Sequence, residues 1–290
     1  MIQEKHATLV DEKKRAIIKQ LRLIDDAFFA VCFDNDPALT EWMLKIILDR
    51  DDLTVTDVKT QYSIKGLGGH SAVLDALARD RDGKVYNIEV QKPNEGAIPR
   101  RARFYGSLID SEFFKKGQAY EELCEIYVIF ITENDILKGN LPIYHIDRVI
   151  RENGSLFDDG AHMIYVNASY TDITPLGELM HDFMCSNPKE MFYANLTKKT
   201  QYYKEDKGEH TMCQLLEDYI QERTETYKVE IAEAEAKTAE AEAKTAEVEA
   251  KAEAEKNQIA LRLVASGFTM EKSAEITGLP VETVRKLAQA

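Results

Sequence analysis

The fold of this chain is best predicted from one segment, Ala72-Val-Leu-Asp-Ala-Leu-Ala-Arg-Asp-Arg-Asp-Gly-Lys-Val-Tyr-Asn-Ile-Glu-Val-Gln-Lys92. Residues 71–79 and 84–92 are rich in strand-forming side chains. Between them, Asp80-Arg-Asp-Gly83 has the composition of a tight hairpin turn. The segment therefore predicts two antiparallel strands joined by a short turn.

A turn centred on Asp82 predicts that Asp75 lies directly across from Glu89, and Val73 across from Gln91. Side chains alternate along a strand, so Asp75, Glu89 and Gln91 share one face. Opposed Cβ atoms lie about 4.5–5.5 Å apart, and two carboxylates that close repel unless a cation lies between them. A hard divalent cation such as Mg²⁺ meets that need. The alternative is a pair of ordinary solvent-facing carboxylates, although their apolar neighbours make an unpaired charge costly.

The sequence on either side of the hairpin supplies the other elements of an α/β domain. Asp36 before Pro37 is a favourable helix start. Apolar spacing and strand-forming runs predict helices at 12–23, 37–48 and 98–116 and strands at 53–65 and 126–131. The predicted order is α-β-β-β-α-β.

The motif Leu74-Asp75, followed after thirteen residues by Glu89-Val-Gln91, resembles the signature of the PD-(D/E)XK nucleases. It is most similar to the branch called PD-(D/E)XK nuclease family transposases, related to the recombination-promoting nucleases, in which E-x-Q often replaces E-x-K. The resemblance covers roughly residues 20–220. It also rests on Asp26-Ala-Phe-Phe29 with Phe33, Gln61, Arg100-Arg-Ala-Arg103-Phe-Tyr105, Ile129-Phe-Ile-Thr-Glu-Asn-Asp135, Pro142-Ile-Tyr-His-Ile-Asp-Arg148 and Tyr165-Val-Asn167.

The resemblance implies a PD-(D/E)XK restriction-endonuclease-like core that hydrolyses phosphodiester bonds of DNA in mobile-element or recombination biology. Asp75 and Glu89 would hold Mg²⁺ or Mn²⁺ together with the Val90 carbonyl, and the cation would activate water. Gln91 would replace the usual lysine; it can orient water or phosphate but carries no charge. Glu41 is a candidate for a further acidic group, or is simply solvated.

Local positive charge is needed for DNA, because the chain has 51 acidic against 37 basic residues and a net charge of -14. Arg100, Arg101 and Arg103 open the helix that follows the hairpin and are candidates for phosphate binding. The alternative is a solvated helix face. Tyr105 either stacks on a base or packs in the core.

Four side chains allow a zinc hypothesis. His181 and Cys185, and His210 and Cys213, have spacings that place each pair on one helical face. Buried thiols and hydrogen-bonded histidines are the alternative. The four cysteines form no C-x-x-C pair, and no disulfide framework is expected.

Composition divides the chain into a nuclease-like domain at 1–221, a helical segment at 222–256 and a small helical tail at 257–290. Residues 234–240 and 241–247 repeat Ala-Glu-Ala-Lys-Thr-Ala-Glu, which predicts a solvated spacer helix or a weak coiled coil. The tail resembles a helix-turn-helix, or is an oligomerisation cap. Its last helix would present Glu282, Thr283, Arg285 and Lys286.

The sequence shows no apolar run of membrane-spanning length and no secretory signal, so a cytoplasmic protein without membrane contact is expected. Three functions are compatible with these features. The first is a Mg²⁺-dependent deoxyribonuclease. The second is a weak or inactive nuclease fold that binds DNA or protein, and the third is a scaffold that self-associates through 222–256.

Overall fold

The computed structural model describes residues 15–66, 71–92, 96–205, 212, 244–247 and 250–289. The chain forms two compact units, Met1–Tyr219 and Ile220–Ala290. None of the helices within the described ranges is both long and apolar enough to cross a membrane.

The first unit is built on a mixed sheet of six strands. They are β1 (Val55–Ile64), β2 (Ala72–Asp80), β3 (Val85–Gln91), β4 (Ile126–Thr132), β5 (Ile143–Ile146) and β6 (Ala161–Asn167). Their order in the sheet is β1-β2-β3-β4-β6-β5. β1, β2 and β3 pair antiparallel, β3, β4 and β6 pair parallel, and β5 closes the edge antiparallel to β6.

Five helices of this unit have defined bounds. They are α1 (Asp26–Phe33), α2 (Pro37–Leu48), α3 (Pro99–Phe113), α4 (Pro175–Met184) and α5 (Ala194–Lys204). The predicted α-β-β-β-α-β core is therefore confirmed, as α2, β1 to β3, α3 and β4. The helix predicted at 12–23 is helical only over 15–20 among its described residues, and α1 follows it as a separate helix.

The sheet separates two apolar layers. On one face, Ile88 and Val90 of β3 belong to a buried cluster with Phe28, Met43 and Phe183 of α1, α2 and α4. On the other face, Val128 of β4 and its neighbours pack with Ala102 and Ile109 of α3. Since successive strand residues point to opposite faces, the residues of β3 that alternate with Ile88 and Val90 point toward the α3 layer.

The hairpin has the predicted register. Leu77 pairs with Asn87 and Ala76 with Ile88, so the next residues along the strands are Asp75 and Glu89. The turn is closed by Asp80, whose Oδ1 accepts from the backbone N–H groups of Asp82 and Lys84. The Tyr86 hydroxyl donates to the other Asp80 oxygen at 2.8 Å. These bonds fix the turn that sets the register.

The second unit is described over a helical stretch at 250–265, α6 (Met270–Thr277) and α7 (Val281–Gln289). Its buried cluster is formed by Ala260, Ala274 and Val284, one from each helical stretch. Thr269 caps α6 by accepting from the Lys272 N–H. α6 and α7 are separated by the short turn 278–280, the spacing of a helix-turn-helix.

Candidate active site

Asp75 and Glu89 converge at one place in the sheet. The backbone N–H of Asp75 donates to Glu89 Oε1 at 3.4 Å, and the backbone N–H of Val90 donates to Asp75 Oδ2 at 2.9 Å. Each carboxylate thus accepts a hydrogen bond from the backbone of the strand that carries the other. Asp75 is 3% exposed and Glu89 is fully buried.

The Glu89 carboxyl is costly to ionise in this position. Burial raises its pKa well above the ordinary value, and the negative charge of Asp75 raises it further. The positive charge of Arg101 opposes both effects only in part. Two buried carboxylates in this arrangement are stabilised by a cation placed between them.

Gln91 uses both ends of its carboxamide. Its Nε2 donates to the Val90 carbonyl at 2.9 Å, and its Oε1 accepts from Arg101 Nη1 at 2.8 Å. A lysine ammonium has no acceptor and could not receive the Arg101 bond. The carbonyl of Val90, which the family resemblance assigns to the metal, retains a second lone pair.

Arg101 brings positive charge to the carboxylates from α3. Its Nη2 lies 3.4 Å from Glu89 Oε2, and its Nε donates to the Tyr105 hydroxyl at 2.7 Å. The guanidinium lies over the rings of Tyr105 and Phe130, at 5.0 and 5.8 Å from their centroids. Tyr105 is buried, so its ring supports Arg101 and presents no open face to a base.

The other two arginines of this helix face elsewhere. Arg100 and Arg103 are exposed, whereas Arg101 and Tyr105 turn inward. The four candidates therefore divide into an inner pair beside the carboxylates and an outer pair on the surface of α3, as helical periodicity requires.

Glu41 lies away from the carboxylate pair. Its Oε1 accepts from Lys45 Nζ at 2.8 Å, and its Oε2 accepts from the Val55 N–H at 3.0 Å. Val55 opens β1 opposite Asp80, at the turn end of the hairpin. The hypothesis that Glu41 adds a further acidic group to the site is therefore wrong, because its carboxylate joins α2 to β1.

Two carboxamides near the pair were not identified from sequence as site residues. Gln61 occupies the position of β1 between Thr60 and Tyr62, which pair with Ala76 and Leu74, so it lies opposite Asp75. It has a φ of 50° within the strand, a conformation uncommon for residues other than glycine. Asn87 precedes Glu89 by two residues and is fully buried. The period of two along β3 could have identified Asn87.

The zinc hypothesis is only half within the described part of the chain. His181 Nδ1 lies 3.2 Å from Asp182 Oδ1, and Cys185 Sγ donates to the Asn187 carbonyl at 3.2 Å. His210 and Cys213 lie outside the described residues. The hypothesis therefore stays a prediction.

The donor set at the carboxylate pair suits Mg²⁺ or Mn²⁺. Within the ranges that the structure describes, no group of three or more His, Cys, Asp or Glu is arranged to hold a metal ion. A cation here would thus use two carboxylates, neutral oxygens such as the Val90 carbonyl, and water. Magnesium sites commonly have this composition, with one or two carboxylates and several waters.

The comparison with known families agrees with this architecture. A family model described as PD-(D/E)XK nuclease family transposase matches residues 28–172, half of the 290-residue chain. The matched range contains the carboxylate pair, Gln91 and Arg101. No curated protein and no solved structure matched the chain. Together with the six-stranded mixed sheet, the match shows that the chain belongs to the PD-(D/E)XK nuclease family transposases.

Proposed function

We propose that the protein is a metal-dependent endonuclease that hydrolyses phosphodiester bonds of DNA, in the service of a mobile element or of recombination. The family supports a nuclease and mobile-element role. The single observation that carries the proposal is the convergence of Asp75 and Glu89 on adjacent strands, each within hydrogen-bond reach of the other's strand.

Asp75, Glu89 and the Val90 carbonyl are the groups that would hold Mg²⁺ or Mn²⁺. When bound, such a cation lowers the pKa of its water and offsets the charge that develops on the scissile phosphate. The buried surroundings strengthen the attraction between the carboxylates and the cation, because the local dielectric constant is low.

Arg101 provides the fixed positive charge that Gln91 lacks. Its guanidinium is held by Gln91 and Tyr105, so it is already oriented before a phosphate arrives. The side chain of Arg101 is 27% exposed, whereas that of Glu89 is 0% exposed. A phosphate that approaches Glu89 therefore meets Arg101, which can exchange its long contact with Glu89 for the phosphate oxygen.

Arg100 and Arg103 extend this positive charge onto the exposed face of α3. Contacts of this kind fix the position of a nucleic-acid backbone without reading its sequence. They offer DNA a local basic surface on a chain whose net charge is -14 and repels phosphate overall.

Incubation of the purified full chain with supercoiled DNA, linear DNA and single-stranded RNA tests the proposal. Nicking or cutting of DNA with Mg²⁺ or Mn²⁺, stopped by a chelator, is expected. Cleavage that persists in the chelator would contradict a metal-dependent reaction, and cleavage of RNA alone would contradict the assignment of DNA as substrate.

A catalytically weak fold that binds DNA through its tail is the second candidate. The observation that favours it is the depth of the carboxylate pair together with the absence of a lysine at Gln91. α6 and α7 have helix-turn-helix spacing, and α7 carries Arg285 and Lys286 on exposed positions. In this case DNA binding does not depend on Asp75.

Three further expectations stay predictions. The first is the division of the chain into 1–221, 222–256 and 257–290, and the second is self-association through 222–256. Both depend on a segment that the structure describes only at 244–247 and from 250 onward. Sedimentation of the chain with and without 222–256 tests self-association. A cytoplasmic location is the third expectation.

A further inference from the structure

Asn87 is a polar side chain in the middle of β3, enclosed by the neighbouring strands. It pairs with Leu77 on β2 and with Val128 on β4, and it is fully buried. Among the described residues, neither its amide nitrogen nor its side-chain oxygen has a partner at the distance and angle of a normal hydrogen bond. Buried polar atoms are almost always paired, and a coordinated ion or water is one way to satisfy such a carboxamide.

The strand places this carboxamide beside the carboxylates. Asn87, Glu89 and Gln91 alternate with Ile88 and Val90 and therefore share the face that α3 covers. Asn87 lies two residues before Glu89 on the same face of β3, and hydrogen bonding from the Asn87 side chain lowers the pKa of the Glu89 carboxyl. The strand therefore places the Asn87 side chain next to Glu89 on the face that carries the carboxylate pair.

We propose that Asn87 is a further residue of the metal site, whose side-chain oxygen binds the cation or one of its coordinated waters. The inference rests on the proposed function and extends it, since the family motif assigns only Asp75, Glu89 and the Val90 carbonyl. Amide oxygens of asparagine are ordinary ligands of hard divalent cations. An uncharged third oxygen adds a ligand without adding a third negative charge to a buried site.

Asn167 provides a matched control. It is a buried asparagine on β6, but its amide donates to the Leu141 carbonyl and its oxygen accepts from Ser169. Asn167→Leu therefore breaks existing hydrogen bonds. Among the described residues, Asn87→Leu removes no bond of normal geometry, and loses only the interaction of the amide with Glu89. If Asn87 only fills the core, Asn87→Leu should lower the Tm less than Asn167→Leu does and should leave the Mn²⁺ affinity unchanged.

The test is titration of the full chain with Mn²⁺ by calorimetry, with thermal unfolding of the same samples. We expect wild type to bind Mn²⁺ and Asp75→Asn to lose that binding. Asn87→Leu is expected to weaken Mn²⁺ binding by about tenfold or more while its metal-free Tm stays equal or rises. Asn167→Leu is expected to lower the Tm and to leave Mn²⁺ affinity unchanged.

Asn87→Asp is a second variant that does not depend on a well-folded leucine variant. It adds a third carboxylate, so we expect a lower metal-free Tm and a larger rise in Tm on adding Mn²⁺ than in wild type. This inference would be overturned if Asn87→Leu binds Mn²⁺ as tightly as wild type, or if Mn²⁺ raises the Tm of Asn87→Asp no more than that of wild type. Either result would leave the proposed function intact. Wild type that binds no Mn²⁺ would overturn both.

Discussion

The guanidinium of Arg101 and the side-chain oxygen of Gln91 are joined by a 2.8 Å hydrogen bond between α3 and β3. The family resemblance aligns Gln91 with the usual lysine of the motif. The bond from Arg101 places a positive charge beside Gln91 from a different element, the helix α3. If the protein is the nuclease that we propose, Arg101 would supply the positive charge beside the scissile phosphate that the motif on β3 lacks.

Arg101→Gln should reduce the rate of DNA cleavage at saturating Mg²⁺ by about 100-fold, the usual effect of removing one preorganised charge. Arg103→Gln is the matched control, because Arg103 lies on the same helix but is exposed. It should weaken DNA binding a few-fold, more at low salt than at high salt, with little effect on the maximal rate. Equal effects of the two variants on that rate would show that Arg101 is only a surface contact.

A charge exchange tests whether Arg101 performs the role of the missing lysine. Gln91→Lys alone should not raise cleavage, because the new ammonium lies beside Arg101 and removes the acceptor that holds it. In the double variant Arg101→Gln with Gln91→Lys, a single positive charge returns to the site. We expect the double variant to cleave at least tenfold faster than Arg101→Gln in the same assay. If the free-energy losses of Arg101→Gln and Gln91→Lys simply add in the double variant, the two side chains do not share one role.

Deletion of the tail, residues 257–290, distinguishes DNA binding by the nuclease unit from DNA binding by the tail. If the nuclease unit holds DNA through the α3 arginines, deletion of 257–290 leaves most DNA retention in a gel-shift assay. DNA retention should then be weaker in Arg100→Gln and in Arg103→Gln than in wild type, and it should depend less on salt concentration than wild-type retention does. Retention that survives Asp75→Ala and disappears on deletion of 257–290 would favour the tail as the DNA-binding element.

Asp36 supports a prediction about stability that is independent of the site. Its side chain accepts from the Leu39 N–H at the start of α2 and from Lys199 Nζ of α5 at 2.9 Å. Asp36→Ala should lower the free energy of unfolding by about 1–2 kcal/mol. Asp36→Asn keeps a good cap and should lose only about 0.5 kcal/mol. Trp42, the only tryptophan, packs on Tyr193 and reports unfolding by fluorescence.

The contribution of Asp36 has a defined dependence on pH. Burial raises its pKa, but the hydrogen bonds from Lys199 and the Leu39 N–H outweigh that effect and hold the pKa below its ordinary value. The folded state therefore binds the proton less readily than the unfolded state. The contribution is complete above the ordinary pKa of about 4 and is lost as pH falls through the lowered value. The difference between wild type and Asp36→Asn should shrink in urea unfolding at pH 3, and a constant difference would contradict the ion pair.

The hairpin and α2 were predictable because local chemistry determines both. The turn around Asp80 sets the register, and Asp36 before Pro37 marks the helix start. α1 was not predicted because six of its eight residues are buried, so it lacks the one-sided apolar spacing that identifies a helix. β5 is a short edge strand of four residues, too brief for a period to stand out.

The two carboxylates and Gln91 were predictable from alternation, but their surroundings were not. Which arginine of α3 turns inward depends on how the helix packs on Phe130 of β4, a residue distant in sequence. The surroundings of the Asn87 amide depend on the residues that β2 and β4 place beside it. Both features come from tertiary packing, which a single strand or helix pattern does not contain.

The decisive measurement for the carboxylate pair is cleavage of supercoiled DNA in Mg²⁺ by wild type, Asp75→Asn and Glu89→Gln. A thermal transition first shows that each protein is folded. We expect wild type to cleave DNA and each variant to lose at least about 100-fold in rate, because each variant removes one charged ligand from the cation. Wild type that fails to cleave with any divalent metal, or variants that cleave at the wild-type rate, would contradict this expectation.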